Sequence, residues 1–169
     1  MKKENGLTSK QFLALFLAVL KIQGYSDTIC RSKLENTMYN YKQRDEYKEL
    51  LKNLKEEHSA SFELSNWVSI YHINKVDLSL AFKNCINSGM LEKYSYYIDG
   101  ESDYIISLTF NDAMNIIRKF NDETRAEVAK LSLDYIQEHM KNIDEVTASI
   151  TIPNIQKKMA MYEKREKRC

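Results

Sequence analysis

The sequence predicts a mainly α-helical protein carrying one small β-hairpin, and three observations point there. Apolar residues recur at helical spacing over long stretches, as in residues 9–23 and 122–141. Residues 91–108 instead alternate apolar and polar side chains around the turn signal Asp99-Gly100. Proline occurs once and glycine four times, so breakers are scarce and each glycine reads as an element boundary.

A chain of 169 residues fits one domain with a helical extension. Lys plus Arg number 25 against 24 Asp plus Glu, so no global field announces a nucleic-acid or membrane partner, and any electrostatic argument is local. Cys30, Cys85 and Cys169 are distant, odd in number and never in a Cys-x-x-Cys pair. That suggests neither a disulfide framework nor a zinc knuckle and predicts a reducing, cytoplasmic compartment.

Residues 12–20 form an apolar run behind Lys2, Lys3 and Lys10, but no small-residue cleavage site follows, and the run is too short to cross a bilayer. Thr8 with Gln11 makes a capping box ahead of it, so a core helix is expected over residues 9–23, stopped by Gly24. Ser32 with Glu35 reads as a second capping box, opening a helix to Tyr41. A third helix is expected over residues 44–57, with Tyr47, Leu50, Leu51 and Leu54 on one stripe.

Residues 61–63 then look extended, Ser65 can cap a short helix through His72, and Asn74-Lys75 marks a turn. The next helix is expected over residues 76–88, with Leu78, Ala81, Phe82, Cys85 and Ile86 on its apolar face and Gly89 ending it. The hairpin follows, with Tyr94, Tyr96 and Ile98 on one face of its first strand and Tyr104, Ile106 and Leu108 alternating on the return.

Asn111 or Thr109 can cap a helix to Phe120, and Asn121 or Asp122 a longer one to Lys141. The longer helix carries two apolar stripes, one of Val128, Leu131 and Tyr135, the other of Ala129, Leu133, Ile136 and Met140, which implies two partners. Residues 146–152 read as a short strand, and Pro153 opens a basic terminal helix.

The order from Phe62 to Thr109 is short strand, short helix, turn, second helix and hairpin, and it resembles winged helix-turn-helix proteins. Residues 80–91 look like the end of a winged-helix recognition helix, with Ser88-Gly89-Met90-Leu91 leading into the first wing strand. Ile106-Ser107-Leu108-Thr109 followed by a helix is similar to the step into the carboxy-terminal helix of bacterial regulators of the PadR and MarR type. In those regulators that helix commonly helps dimerisation.

The resemblance covers about residues 61–140 and implies a winged-helix-like domain with N-terminal and C-terminal helical extensions. Residues 1–60 would form a helical segment packed on the core, 61–110 the winged-helix-like unit, and 111–169 the dimerisation helices and a basic tail. By position, Asn74, Lys75, Ser79, Lys83 and Asn84 are the candidate DNA-binding residues, since Asn and Lys contact base edges or phosphates. Asp99, Glu101, Ser102 and Asp103 surround the hairpin tip and oppose phosphate contact there.

Lys157, Lys158, Lys164, Arg165, Lys167 and Arg168 form a candidate phosphate-binding tail. A homodimer would use Val128, Leu131, Leu133, Tyr135, Ile136 and Met140. The hairpin tyrosines read as cross-strand packing in preference to base stacking.

His58, His72 and His139 lack ligand spacing, and Cys85 reads as packing, so no metal, cofactor or catalytic residue is expected. Gly6, Gly24, Gly89 and Gly100 cannot write a phosphate-binding loop or a nucleophile elbow. The expectation is a small winged-helix DNA-binding transcription regulator, phage or mobile-element encoded. The alternative is a non-enzymatic protein-binding module, an inhibitor or accessory subunit, on the same fold.

Overall fold

A computed structural model describes residues 6–59, 62–64, 67–69, 73–96 and 102–140. The protein is mostly helical with a small antiparallel sheet, and no helix among the described residues is long and apolar enough to cross a membrane. The expected strand over 146–152, the terminal helix and its six basic residues lie outside the described residues.

Helix α1 (Ser9–Gln23) is the centre of the core. Its capping box forms as read: the Thr8 hydroxyl accepts the Gln11 N–H at 3.2 Å, and the Gln11 side chain accepts the Thr8 N–H at 3.1 Å. At the far end Gly24 adopts φ 83°, and the N–H groups of Gly24 and Tyr25 reach back to Lys21 and Leu20, a Schellman ending. An unbroken run from Leu15 to Leu20 is buried, so the helix is covered on every side, by α4 (Ser79–Asn87), α5 (Phe110–Arg118) and α6 (Asp122–Met140).

A two-residue strand, β1 (Ile29–Cys30), leads directly into α2 (Arg31–Lys42). The Ser32–Glu35 capping box does not form, because Glu35 is fully buried and spoken for. Its carboxylate accepts the Leu78 N–H at 2.8 Å and faces Arg31 at 3.5 Å and Lys75 at 4.0 Å. Glu35 thereby anchors the chain just ahead of α4.

The expected helix over 44–57 shrinks to one turn, α3 (Asp45–Lys48). Tyr47, Leu50, Leu51 and Leu54 are buried as their stripe suggested, but the carbonyls of Leu50 and Leu54 are claimed elsewhere. The Leu50 carbonyl accepts the Leu7 N–H at 3.2 Å, and the Leu54 carbonyl accepts the Lys42 ammonium at 2.7 Å. The chain then runs as β2 (Glu56–Ser59), paired antiparallel with β5 (Ile73–Val76), and β3 (Phe62–Leu64), paired with β4 (Trp67–Ser69).

The short helix expected from Ser65 to His72 is therefore replaced where β4 stands, and the Asn74-Lys75 turn by the middle of β5. The residues explain it: Trp67, Val68, Ile70, Tyr71 and Ile73 are strand formers crowded into a stretch with little helix propensity. Only the extended reading of Phe62 and Glu63 survives from this part of the expected helix-turn-helix.

Helix α4 starts three residues later than expected, because Val76 closes β5 and Asp77, one residue ahead of the N-cap Leu78, accepts the Ser79 N–H. Gly89 at φ 78° ends it, with the Met90 N–H returning to Cys85 at 2.9 Å. The hairpin of β6 (Leu91–Tyr96) and β7 (Ser102–Ile106) follows, with a bulge between Lys93 and Ser95. It is not an isolated ribbon: β1 pairs with β7 at Ile29↔Tyr104 and Cys30↔Asp103, giving the sheet order β1-β7-β6. The segment before residue 60 thus contributes both the central helix and an edge strand to the unit that holds the hairpin.

Of the alternative caps, Thr109 serves α5, accepting the Asp112 N–H at 3.1 Å, and Asn121 serves α6, accepting the Thr124 N–H at 2.8 Å. The proposed dimer stripe on α6 has its partner within the chain. Val128, Leu131, Tyr135 and Ile136 are buried in the common core, and Ala129 and Leu133 pack partly against it. One wide stripe covers α1, so the reading of two stripes for two partners is corrected; the side chain of Met140 lies outside the described residues. On its other side α6 is tied to α2 and α3 by Tyr41 donating to Glu138 at 2.6 Å, Tyr47 donating to Asp134, and Lys130 paired with Glu46 at 2.9 Å.

Candidate nucleic-acid interface

Helix α4 packs through Ala81, Phe82 and Cys85 and leaves the opposite side in solvent. Phe82 meets Tyr104 of β7 edge to face, with ring centroids 6.1 Å apart, which sets the helix against the sheet. Ser107, just after β7, fixes the turn behind the helix: its N–H donates to the Met90 carbonyl at 2.9 Å and its hydroxyl to the Gly89 carbonyl at 2.6 Å.

The outward face of α4 carries Ser79, Leu80, Lys83, Ile86 and Asn87, with Asn84 half-buried at its margin. At 100° per residue, Lys83 lies at the centre, Leu80, Asn84 and Asn87 follow one another on one flank, and Ser79 and Ile86 on the other. The helix contains no carboxylate, and Lys83 makes no ion pair with any described residue. Leu80 is 71% exposed and Ile86 38%.

The nearest carboxylate in sequence, Asp77, is engaged at the helix start. Its Oδ1 accepts the Ser79 N–H at 3.0 Å and the Ser79 hydroxyl, and these two bonds hold its carboxyl below the usual range. Arg31 reaches the same hydroxyl at 3.4 Å, and a groove of about 170 Å³ opens between Arg31, α4 and Tyr104. Burial pushes the Cys85 thiol up to about 11, which removes it as a nucleophile near neutral pH.

The five sequence candidates divide. Ser79, Lys83 and Asn84 stand on α4, whereas Asn74 and Lys75 lie on β5. Lys75 is three-quarters covered and sits 3.6 Å from Glu57 as well as beside Glu35, so its charge is already matched. Asn74 pairs with His58 across the ribbon; its side chain lies outside the described residues.

Leu80, Ile86, Asn87 and Arg31 were missed by the sequence reading. Ile86 lies only about 40° from buried Phe82 on the wheel, at the edge of the apolar face, and stands 38% exposed. Leu80 was legible, since it projects opposite Phe82 and Cys85 on the wheel.

The hairpin flank is mixed. Tyr94, at the bulge, is 66% exposed, and Glu92 and Lys93 are exposed beside it. Asp103, expected in the acidic tip, is only 9% exposed, because it pairs with Cys30 of β1; residues 97–101 lie outside the described residues. Tyr104 packs on Phe82, as cross-strand and helix packing predicted.

A second concavity, of about 380 Å³, lies between β1, α2 and the last turn of α6 and is lined by Cys30, Lys33, Thr37, Glu138 and His139. At its rim His139 and Asp27 approach to 2.8 Å. Among the described residues no group of three or more His, Cys, Asp or Glu could hold a metal ion. No family model, no curated protein and no solved structure matches the chain.

Proposed function

We propose that α1, β1, α2, α4 and the β6–β7 hairpin form a winged helix, and that the chain is a small transcription regulator presenting α4 to duplex DNA. The element order supports the fold: three helices with a short strand between the first two, then a hairpin whose second strand lies between the first strand and its own partner. On this reading the ribbon of β2–β5 and β3–β4 is an insertion between the second and third helices, and the unit begins at α1 instead of at residue 61.

The observation that carries the DNA reading is the charge pattern of α4. A chain with 24 acidic residues leaves none on this outward helix and centres on it a lysine that no described residue pairs. A helix of this width enters the major groove, and Lys83 and the asparagines have the chemistry to meet phosphates or base edges there. The expected tail contact from Lys157, Lys158, Lys164, Arg165, Lys167 and Arg168 would add phosphate binding to that of Lys83.

One observation favours the second reading, capture of another protein: Leu80 and Ile86 expose apolar surface on the same face. The two separate on the salt dependence of binding to mixed-sequence duplex DNA. DNA binding predicts affinity that falls steeply as salt rises, and Lys83→Ala should weaken binding and reduce the log–log slope by about 1. No binding at low salt would overturn the DNA reading and leave the protein-binding one.

A further inference from the structure

We infer that α4 is built to read A·T base pairs, with Leu80 as the residue that recognises the C5-methyl group of thymine. The inference rests on the DNA-binding reading and deepens it. A helix that only gripped phosphates would gain nothing from a leucine held 71% in solvent beside its one lysine, whereas an apolar group laid over that side chain would gain the free energy of the area removed from water. In the major groove, thymine is the base that offers an apolar group, its methyl.

The neighbours of Leu80 fit the same target. Asn84 and Asn87 stand four and seven residues on, along the same flank. An asparagine amide pairs bidentately with adenine N6 and N7, the complementary edge of the same base pair. Leu80 and Asn87 are separated by about 10 Å of helix rise, roughly the length of three stacked steps on one strand. Lys83, between the flanks, is assigned to phosphate; turned to a base edge it would favour guanine, so the A·T reading requires it on the backbone. Glutamate or aspartate, which would accept from cytosine, is missing from the helix, and so is arginine, whose planar fork makes the bidentate guanine contact.

The test uses the full chain with two probes, an alternating poly(dA–dT) duplex and its poly(dA–dU) counterpart, which differ only in the methyl groups. Anisotropy titrations at equal salt should show wild type binding the thymine duplex more tightly, by about fourfold for each methyl group covered. Leu80→Ala should bind both duplexes alike, at the affinity wild type has for poly(dA–dU). The substitution is on an exposed site and leaves the core intact. Equal binding of the two duplexes by wild type, with salt-dependent affinity retained, would overturn the thymine assignment and leave DNA binding standing. Discrimination that persists in Leu80→Ala would overturn the role of Leu80. Absence of binding to either duplex at low salt would overturn the inference together with the reading beneath it.

Discussion

Replacing Glu35 with alanine removes the acceptor of the Leu78 N–H, the amide immediately ahead of α4, at a site with no access to water. An amide left buried and unsatisfied costs about 1–3 kcal/mol. The two cations facing the carboxylate, Arg31 and Lys75, are partly exposed, so losing their attraction adds only about 0–1 kcal/mol after solvent screening. The sum is roughly 1–4 kcal/mol, which at about 2–4 °C per kcal/mol lowers Tm by roughly 2–16 °C in a protein of this size.

Glu35→Gln keeps an acceptor for the same N–H and loses only the charge assistance, so it should cost about 1 kcal/mol. Thermal and urea denaturation of the three proteins at neutral pH would give the order wild type, glutamine, alanine. An alanine variant within about 0.5 kcal/mol of wild type, the range of ordinary surface changes, would refute the argument that Glu35 anchors α4. Equal losses for glutamine and alanine would refute the part assigned to the Leu78 amide.

Thr109→Ala should destabilise by about 1 kcal/mol through loss of the α5 cap, seen as a Tm lower by about 2–4 °C, whereas Asn111→Ala should leave Tm nearly unchanged. Cys85 should resist iodoacetamide at neutral pH in the native protein and react in denaturant, as located by peptide mass; native labelling at the denatured rate would contradict its burial. The Asp77 carboxyl, held low by Ser79, contributes stability that is full well above about pH 4 and lost as pH falls through its lowered value. Ser79→Ala should move its NMR titration midpoint up towards the ordinary carboxylate value, and an unmoved midpoint would exclude Ser79 as the cause.

What could be read in the sequence was what is decided locally. Thr8 with Gln11, Gly24, Gly89 and Thr109 act within one turn of chain, and each stands where its chemistry placed it. The apolar stripe of Tyr47, Leu50, Leu51 and Leu54 was correct as burial and wrong as helix, because burial depends on side chains while the helix needed carbonyls that Leu7, Lys42 and Asp77 occupy from outside. Glu35 failed as a capping residue for the same reason: its partner, Leu78, lies 43 positions away. Two-residue β1 is too short to carry any period, so the third strand of the sheet left no trace to read.

The candidate site was half legible. Lys83, Asn84 and Ser79 follow from the wheel once the helix is located, but Lys75 was misplaced because β5 looked like a turn. The apolar residues of α6 were split into two stripes and one was assigned to another molecule, although α1, apolar on every side from Leu15 to Leu20, calls for cover all round.

That covering of α1 has a consequence for the chain as it leaves the ribosome. The most apolar helix is made ahead of the helices that cover it, and Tyr135 and Ile136, which complete its enclosure, follow more than a hundred residues later. At translation rates of about 5–20 residues per second, α1 waits roughly 5–20 s for its last partners. During that interval its run of leucines and phenylalanines is the segment most open to chaperones or to mispairing, so shortening the chain before α6 should yield insoluble protein in place of a smaller folded one.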